Sequence, residues 1–142
     1  MKVSARWRRV LARSRTMKLK RQSPLTKKAR RGFRGYPAAT IAFYGPDAHR
    51  ATKVVVGIVR SEGGEPDPLE RWYAEEGDIR KSPSVFEEIL ELIEREGVRS
   101  VVMPDRIIGC PHEEGIDYPE GEVCPMCPYW ANRDRWTGDL LH

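Results

Sequence analysis

The chain has 142 residues, of which 39 % are hydrophobic, so it can build one domain with its own core plus a tail. This composition excludes a wholly disordered chain, and no apolar run approaches the roughly 18 residues that a membrane-spanning helix requires. The net charge of +4 combines two opposite parts. Residues 1–35 contain fourteen Lys or Arg and no Asp or Glu, whereas the remaining residues carry eleven basic and all 21 acidic side chains.

Residues 1–35 form a basic arm. Apolar residues between Val3 and Leu11 recur at helical spacing and predict a short amphipathic helix, which residues 22–26 interrupt. Residues 27–35 are predicted to be a flexible linker, so the arm as a whole is expected to be disordered or partly helical. Blocks of like charge are often interaction tails, and we expect this one to bind RNA or DNA; the alternative is that it folds back on the acidic body or keeps the chain soluble. The expected contacts in the arm are Lys18, Lys20, Arg21, Lys27, Lys28, Arg30, Arg31 and Arg34.

Residues 36–142 are predicted to form one α+β domain. Residues 38–44 and 51–60 are rich in β-branched and aromatic side chains, and the Gly45-Pro46-Asp47 turn between them predicts a hairpin. Residues 69–74 are predicted as a third strand, with a short helix as the alternative. Residues 100–103 form a further short strand, which is expected to be central because it is almost wholly apolar.

The main helix follows the third strand. Ser82 is a natural N-cap, Pro83 suits the first helical position, and Gly97 supplies a left-handed residue at the end. One apolar stripe follows the helical period: Phe86, Ile89, Leu90 and Ile93. The order is therefore β-β-β-α-β, a small, mostly antiparallel sheet with one main helix, followed by a C-terminal extension.

All three cysteines and one of the three histidines fall within eighteen residues near the C-terminus: Cys110, His112, Cys124 and Cys127. Zinc prefers four Cys or His ligands in a tetrahedron, and a Cys-x2-Cys turn lets two thiolates bind one ion. In an extended segment residues two apart face the same side, so Cys110 and His112 can supply the other two ligands. The sequence therefore predicts a closed, structural Zn²⁺ site in a metal region that spans residues 106–136.

Other interpretations of these residues are open. One is a pair of buried thiols with a redox-active Cys-x2-Cys, although such a motif would open a helix, which Pro128 does not favour. Another is a zinc nucleobase deaminase, in which His112 and Glu114 would act with the Cys-x2-Cys. The eleven residues that separate the two halves are too few for the helix and strand of that fold, and Cys110 would fill the position that catalysis needs open.

A nuclease-like hydrolase is the alternative catalytic hypothesis. The β-β-β-α-β order is also how ribonuclease-H-like nucleases begin, and a divalent metal would then be held by acidic residues. The candidates are Asp47, Glu87 or Glu88, and Asp105.

Aromatic and basic residues alternate directly after the cysteines. Trp130 is expected to pack against the metal region, because it lies next to the ligand turn. The remaining candidates could stack on unpaired bases or contact phosphates. They are Arg133, Arg135 and Trp136.

Two stretches of the chain carry a specific resemblance. The first comprises Gly35-Tyr36-Pro37, Ala39 to Asp47 and Ala51 to Val59, and the second comprises Gly109 to Pro119 with Cys124-Pro125-Met126-Cys127-Pro128. Together they resemble a family of small uncharacterised bacterial proteins. The resemblance covers most of residues 35–140. It implies a bacterial, cytoplasmic setting and no activity, and it leaves out residues 1–16, so Met17 is expected to be the initiator.

The leading hypothesis is a non-enzymatic, zinc-stabilised protein that binds nucleic acid through its basic arm. The alternatives are a nuclease-like, metal-dependent hydrolase and an adaptor that binds a protein partner through the acidic body. The sequence gives no sign of a membrane span or of a small-molecule cofactor.

Overall fold

A computed structural model describes residues 24–133 of the chain. The α+β class is confirmed, and the strands and the main helix follow the predicted order. The elements are helix α1 (Pro24–Arg30), strands β1 (Ala38–Tyr44), β2 (Lys53–Val59) and β3 (Leu69–Tyr73), helix α2 (Pro83–Arg95) and strand β4 (Ser100–Val102). Two short 3-10 turns lie at Ile79–Lys81 and Pro128–Trp130.

The four strands form one mixed sheet in the order β3-β2-β1-β4. The β1–β2 and β2–β3 pairs are antiparallel, and β4 runs parallel to β1. The prediction that β4 is central is wrong, because it lies at an edge of the sheet. Its residues are nevertheless buried: α1 contacts β4, and the Ser100 hydroxyl bonds to the Arg34 amide and the Gly35 carbonyl, each at 2.7 Å. Burial by a helix produces the same apolar pattern as burial between strands.

Helix α1 occupies part of the predicted linker. Leu25 and Ala29, one helical turn apart, are 0 % and 3 % exposed and join the main core. The expectation of a flexible segment from Lys27 is therefore wrong as far as Arg30, because two apolar residues four positions apart dock this short helix on the body. Within residues 24–133, neither α1 nor α2 is long and apolar enough to cross a membrane.

Helix α2 forms as the sequence predicts. The Ser82 hydroxyl accepts a hydrogen bond from the Val85 amide at 3.4 Å, Pro83 opens the helix, and Gly97 follows it with φ of +65°. Its buried residues are Ile89, Leu92 and Ile93. They pack in one cluster with one face of the sheet, to which every second residue of β1 and β2 contributes.

The opposite face of the sheet carries polar and aromatic side chains at one end. Strand register places Tyr44 of β1, Lys53 of β2 and Tyr73 of β3 side by side, with Arg71 two residues from Tyr73. The metal region lies next to these residues.

Candidate metal centre

Strand β1 positions the start of the metal region. Beyond β4 the chain runs alongside β1: Ile107 bridges Phe43, and the Ile108 amide donates to the Phe43 carbonyl at 2.9 Å. The Gly45 amide donates to the Gly109 carbonyl, also at 2.9 Å. A Cβ at Gly45 would lie 1.9 Å from the Arg50 carbonyl oxygen, so this close approach requires glycine. Cys110 is thereby held just beyond the end of β1.

The four predicted ligands lie close together. The Nδ1 atom of His112 is 3.2 Å from the sulfur of Cys110 and 3.5 Å from the sulfurs of Cys124 and Cys127. All four ligand atoms are within 4.8 Å of one another. A tetrahedral zinc ion, with its usual bond lengths, would separate nitrogen and sulfur ligands by about 3.6 Å. The geometry is therefore compatible with one metal ion bound through Nδ1 and three thiolates.

Burial makes two of these thiols, Cys110 and Cys127, poor acids unless a cation is present. Cys110, Cys124 and Cys127 are 6 %, 6 % and 3 % exposed. Desolvation raises the pKa of the Cys110 thiol to about 12, and it also raises the pKa of Cys127. All three thiols are free of disulfides. A metal ion would supply the missing positive charge, and its binding would release thiol protons.

The donor set restricts which ion fits and what it can do. Three sulfurs and one imidazole suit Zn²⁺, whereas Mg²⁺ and Ca²⁺ require oxygen ligands. Four protein ligands complete a tetrahedron, so the arrangement leaves no position for a substrate or an activated water. An ion held there would stabilise the fold and would not take part in catalysis.

A buried lysine ties the metal region to the sheet. Lys53, which is 3 % exposed, donates from Nζ to the Pro111 carbonyl at 2.9 Å and to the Glu113 carboxylate at 3.0 Å. Arg71 donates to both oxygens of the same carboxylate, each at 2.8 Å. Hydrogen bonds to Arg71 and then Lys53 hold the pKa of Glu113 below its usual value. These contacts flank His112 on both sides.

The surroundings of Lys53 also line a cavity beside the metal region. The ammonium lies 5.8 Å from the ring centre of Tyr44 and 5.6 Å from that of Tyr73, within cation–π range. A cavity of about 360 Å³ lies between the metal region and this end of the sheet. Sequence reasoning missed the role of Lys53; the available signal was a lysine at the start of an otherwise apolar strand.

The second cysteine pair is anchored to the same end of β1. The indole nitrogen of Trp130 donates to the Gly45 carbonyl at 2.8 Å, and Trp130 packs against both the main core and the cysteines. The prediction that Trp130 packs against the metal region is confirmed. The 3-10 turn begins only at Pro128, so no helix opens at Cys124, as a redox Cys-x2-Cys would require.

The acidic residues of the nuclease-like hypothesis are not brought together. Among residues 24–133, the Cys/His cluster is the one group of three or more side chains able to hold a metal. Asp47 instead stabilises its own turn, because its carboxylate accepts bonds from the His49 and Arg50 amides. Glu87 and Asp105 are exposed.

The predicted nucleic-acid contacts fall into three groups. Lys27, Arg31 and Arg34 are exposed on or just after α1, and Lys28 and Arg30 are half-buried there. Arg133 is engaged within the chain, since its guanidinium lies 4.2 Å from the ring centre of Tyr129 and donates to the Tyr129 carbonyl at 3.0 Å. The others lie outside the described residues: Lys18, Lys20, Arg21, Arg135 and Trp136.

The chain matches no protein-family model, no curated protein and no solved structure. Membership of the bacterial family that the sequence resembles therefore stays a prediction, as do the cytoplasmic location and the initiator Met17.

Proposed function

We propose that this chain is a non-enzymatic protein whose fold is stabilised by one structural Zn²⁺ and which binds RNA or DNA through its basic N-terminal arm. The observation that carries the metal part is the convergence of three buried thiols and the half-buried imidazole of His112 in one closed cluster. The nucleic-acid part is supported by the concentration of positive charge in residues 1–35.

Helix α1 gives part of the arm a fixed place on the body. Leu25 and Ala29 face the core, while Lys27 and Arg31, also four residues apart, are exposed. A phosphate backbone could approach these cations without disturbing the packed side of the helix. The net negative charge of the remaining chain would repel nucleic acid elsewhere, so binding is expected to be of moderate affinity and strongly dependent on salt.

The zinc assignment is tested by native mass spectrometry of the full chain. We expect one zinc ion per chain, lost on chelation together with thermal stability, because structural zinc binding contributes directly to folding. A metal-free protein that unfolds at the same temperature would contradict this assignment.

The nucleic-acid proposal is tested with substitutions instead of a truncation. Deleting residues 1–35 would remove Leu25 and Ala29 from the core, so loss of binding could not be separated from loss of folding. A triple variant, Lys27→Gln, Lys28→Gln and Arg31→Gln, changes three charges and leaves the buried side of α1 intact. We expect weaker binding of single-stranded RNA and duplex DNA by fluorescence anisotropy.

The salt dependence gives the sharper measurement. Each lost phosphate contact reduces the slope of log affinity against log salt by about 0.7–0.9, so three lost contacts should reduce it by roughly two to three. The matched control removes three charges from other sites, with Lys81→Gln, Arg95→Gln and Arg99→Gln, and should keep the original slope. Equal slopes for the two triple variants would refute phosphate contacts from α1.

An adaptor function is the second candidate. Helix α2 presents an exposed acidic side, formed by Glu87, Glu88, Glu91 and Glu94. This side suits a basic protein partner. A pull-down from nuclease-treated lysate separates the candidates: a partner that survives nuclease and is lost in Glu87→Gln with Glu91→Gln supports the adaptor, whereas recovery only without nuclease supports the arm.

A further inference from the structure

Strand β3 forms one edge of the sheet, and within residues 24–133 no other strand pairs with its outer side. It contains neither proline nor glycine and is not bulged against β2. Leu69 and Tyr73 are 43 % and 64 % exposed, although both are large and apolar. Natural proteins usually block such an edge with proline, charged side chains or a bulge. Here the two charged side chains of β3 are each paired within the chain, Glu70 with Arg95 and Arg71 with Glu113, so the edge is open to an occupant.

The hydrogen bonds to β2 determine which backbone groups β3 offers. The Ala74 amide donates to the Thr52 carbonyl at 2.9 Å, and the Pro68 carbonyl accepts from the Ile58 amide at 3.0 Å. In an antiparallel pair, bonded and non-bonded positions alternate, so the even-numbered residues of β3 bond to β2. The odd-numbered residues direct their N–H and C=O groups away from the sheet: Leu69, Arg71 and Tyr73.

We propose that this edge pairs with β3 of a second copy of the chain, antiparallel about a two-fold axis at Arg71. Such an axis places residue i opposite j and j opposite i. Centring it on Arg71 puts Leu69 opposite Tyr73 of the second copy and uses the outward backbone groups of all three residues. A register shifted by two residues would leave one of the three without a partner in each copy. The result is a continuous eight-stranded sheet.

The side chains complement one another in this register. Leu69 and Tyr73 lie on the same face of the sheet, so each exposed apolar side chain covers its counterpart. Arg71 faces Arg71 of the second copy, but each guanidinium is already bound by both oxygens of its own Glu113. The axis therefore brings together two ion pairs instead of two bare cations. This complementarity of the strand to itself favours a second copy over a foreign peptide.

The test is the mass of the full, zinc-loaded chain after nuclease treatment, measured by sedimentation equilibrium over a concentration series. The mass should rise to about twice the 16.3 kDa of one chain. Leu69→Pro removes one outward N–H and one apolar contact at the first residue of the strand, where proline is tolerated, and should leave a monomer. Zinc content and thermal unfolding check that the variant is folded.

The matched control is Ile116→Ser, which changes an exposed apolar residue in the metal region and should not alter the mass. A register test uses Leu69→Cys chains mixed with Tyr73→Cys chains. Opposed residues lie about 5.5 Å apart at Cα, within disulfide range, whereas two copies of the same residue would lie about 14 Å apart. We expect mixed disulfides only. A monomer at all concentrations, a Leu69→Pro dimer, or equal amounts of like and mixed disulfides would each overturn the proposal.

Discussion

The sheet and the metal region differ in how many apolar side chains each one buries. Sixteen buried residues from α1 through Ile107 form the main cluster, whereas the cluster in the metal region contains Tyr118 and the three cysteines. Apolar residues of the metal region face solvent instead: Ile116, Val123 and Met126 are 74 %, 59 % and 51 % exposed. The sheet is thus held by burial of apolar surface, whereas the loops of the metal region bury little and depend on cross-links and on their contacts with the sheet.

The comparison also shows where the two regions meet. Four hydrogen bonds at one end of β1 and β2 help to join them. They are the Gly45–Gly109 backbone bond, the Trp130–Gly45 bond and the two bonds from Lys53 to Pro111 and Glu113. The sheet therefore supplies a rigid platform on which the ligand loops are fixed. Substitutions and metal removal can separate the contributions of the platform and the ion.

Metal removal should lower stability more than any other change. It should destabilise the metal region far more than the sheet. Structural zinc sites contribute about 10–16 kcal/mol in small peptides, far more than the few apolar contacts of the metal region can replace. Cys124→Ser should abolish metal binding and the hydrogen-exchange protection of residues 106–133, while β1 and β2 stay protected. Met126→Ser, an exposed position in the same turn, is the control and should keep both. If residues 106–133 stay protected after chelation, the metal region is stabilised by packing after all.

Loss of Lys53 should weaken metal binding by a smaller amount, and it tests the contact between the sheet and the metal region. Lys53→Met removes both bonds that flank His112 from the buried side. Loss of a group that orients a metal ligand typically weakens metal affinity 10–100-fold, and we expect a decrease of about tenfold in a chelator competition assay.

Arg71→Met is the matched comparison, because Arg71 binds the same carboxylate from an exposed position. Exposed ion pairs contribute little, so its metal affinity should change less than that of Lys53→Met. Equal losses of metal affinity in the two variants would show that any cation bound to Glu113 contributes equally. Burial of Lys53 would then have no effect of its own.

Sequence reasoning succeeded where the determining residues are close together in the chain. The cap at Ser82 and Pro83 defined helix α2, and the ligand spacing predicted the cluster that the structure brings together. It failed for Lys53, whose partners are 58 and 60 residues away, because no local pattern records a tertiary contact.

It also failed for α1 and for the place of β4. A helix of seven residues with two buried side chains, Leu25 and Ala29, has too little periodicity to stand out in a basic segment. The apolar run in β4 predicted that this strand is buried. The sheet order and the helix contacts of the structure are needed to show that α1, and not another strand, lies beside β4.

The smallest expected effect is a pH dependence of stability that arises outside the metal region, at the 3-10 turn before α2. Asp78 caps the 3-10 turn at Ile79–Lys81, and its carboxylate accepts bonds from the Arg80 amide at 3.0 Å and from the Arg80 guanidinium. The bond from the Arg80 side chain is the main cause that lowers the pKa of Asp78 to about 2, from 3.8 in an unstructured chain. Because the folded pKa is the lower one, this contribution to stability is complete above pH 4. It is lost as the pH falls from about 4 towards 2.

Solvent screens this partly exposed pair, so the contribution is about 1 kcal/mol. Asp78→Asn keeps a side-chain oxygen for the cap and removes only the charge. Since acid would also displace a bound metal from both proteins, the quantity to measure is the difference in free energy of unfolding between wild type and Asp78→Asn. That difference should be about 1 kcal/mol at pH 6 and should approach zero near pH 2. A difference that does not change between these pH values would show that the carboxylate of Asp78 stabilises the turn as a hydrogen-bond acceptor alone and not through its charge.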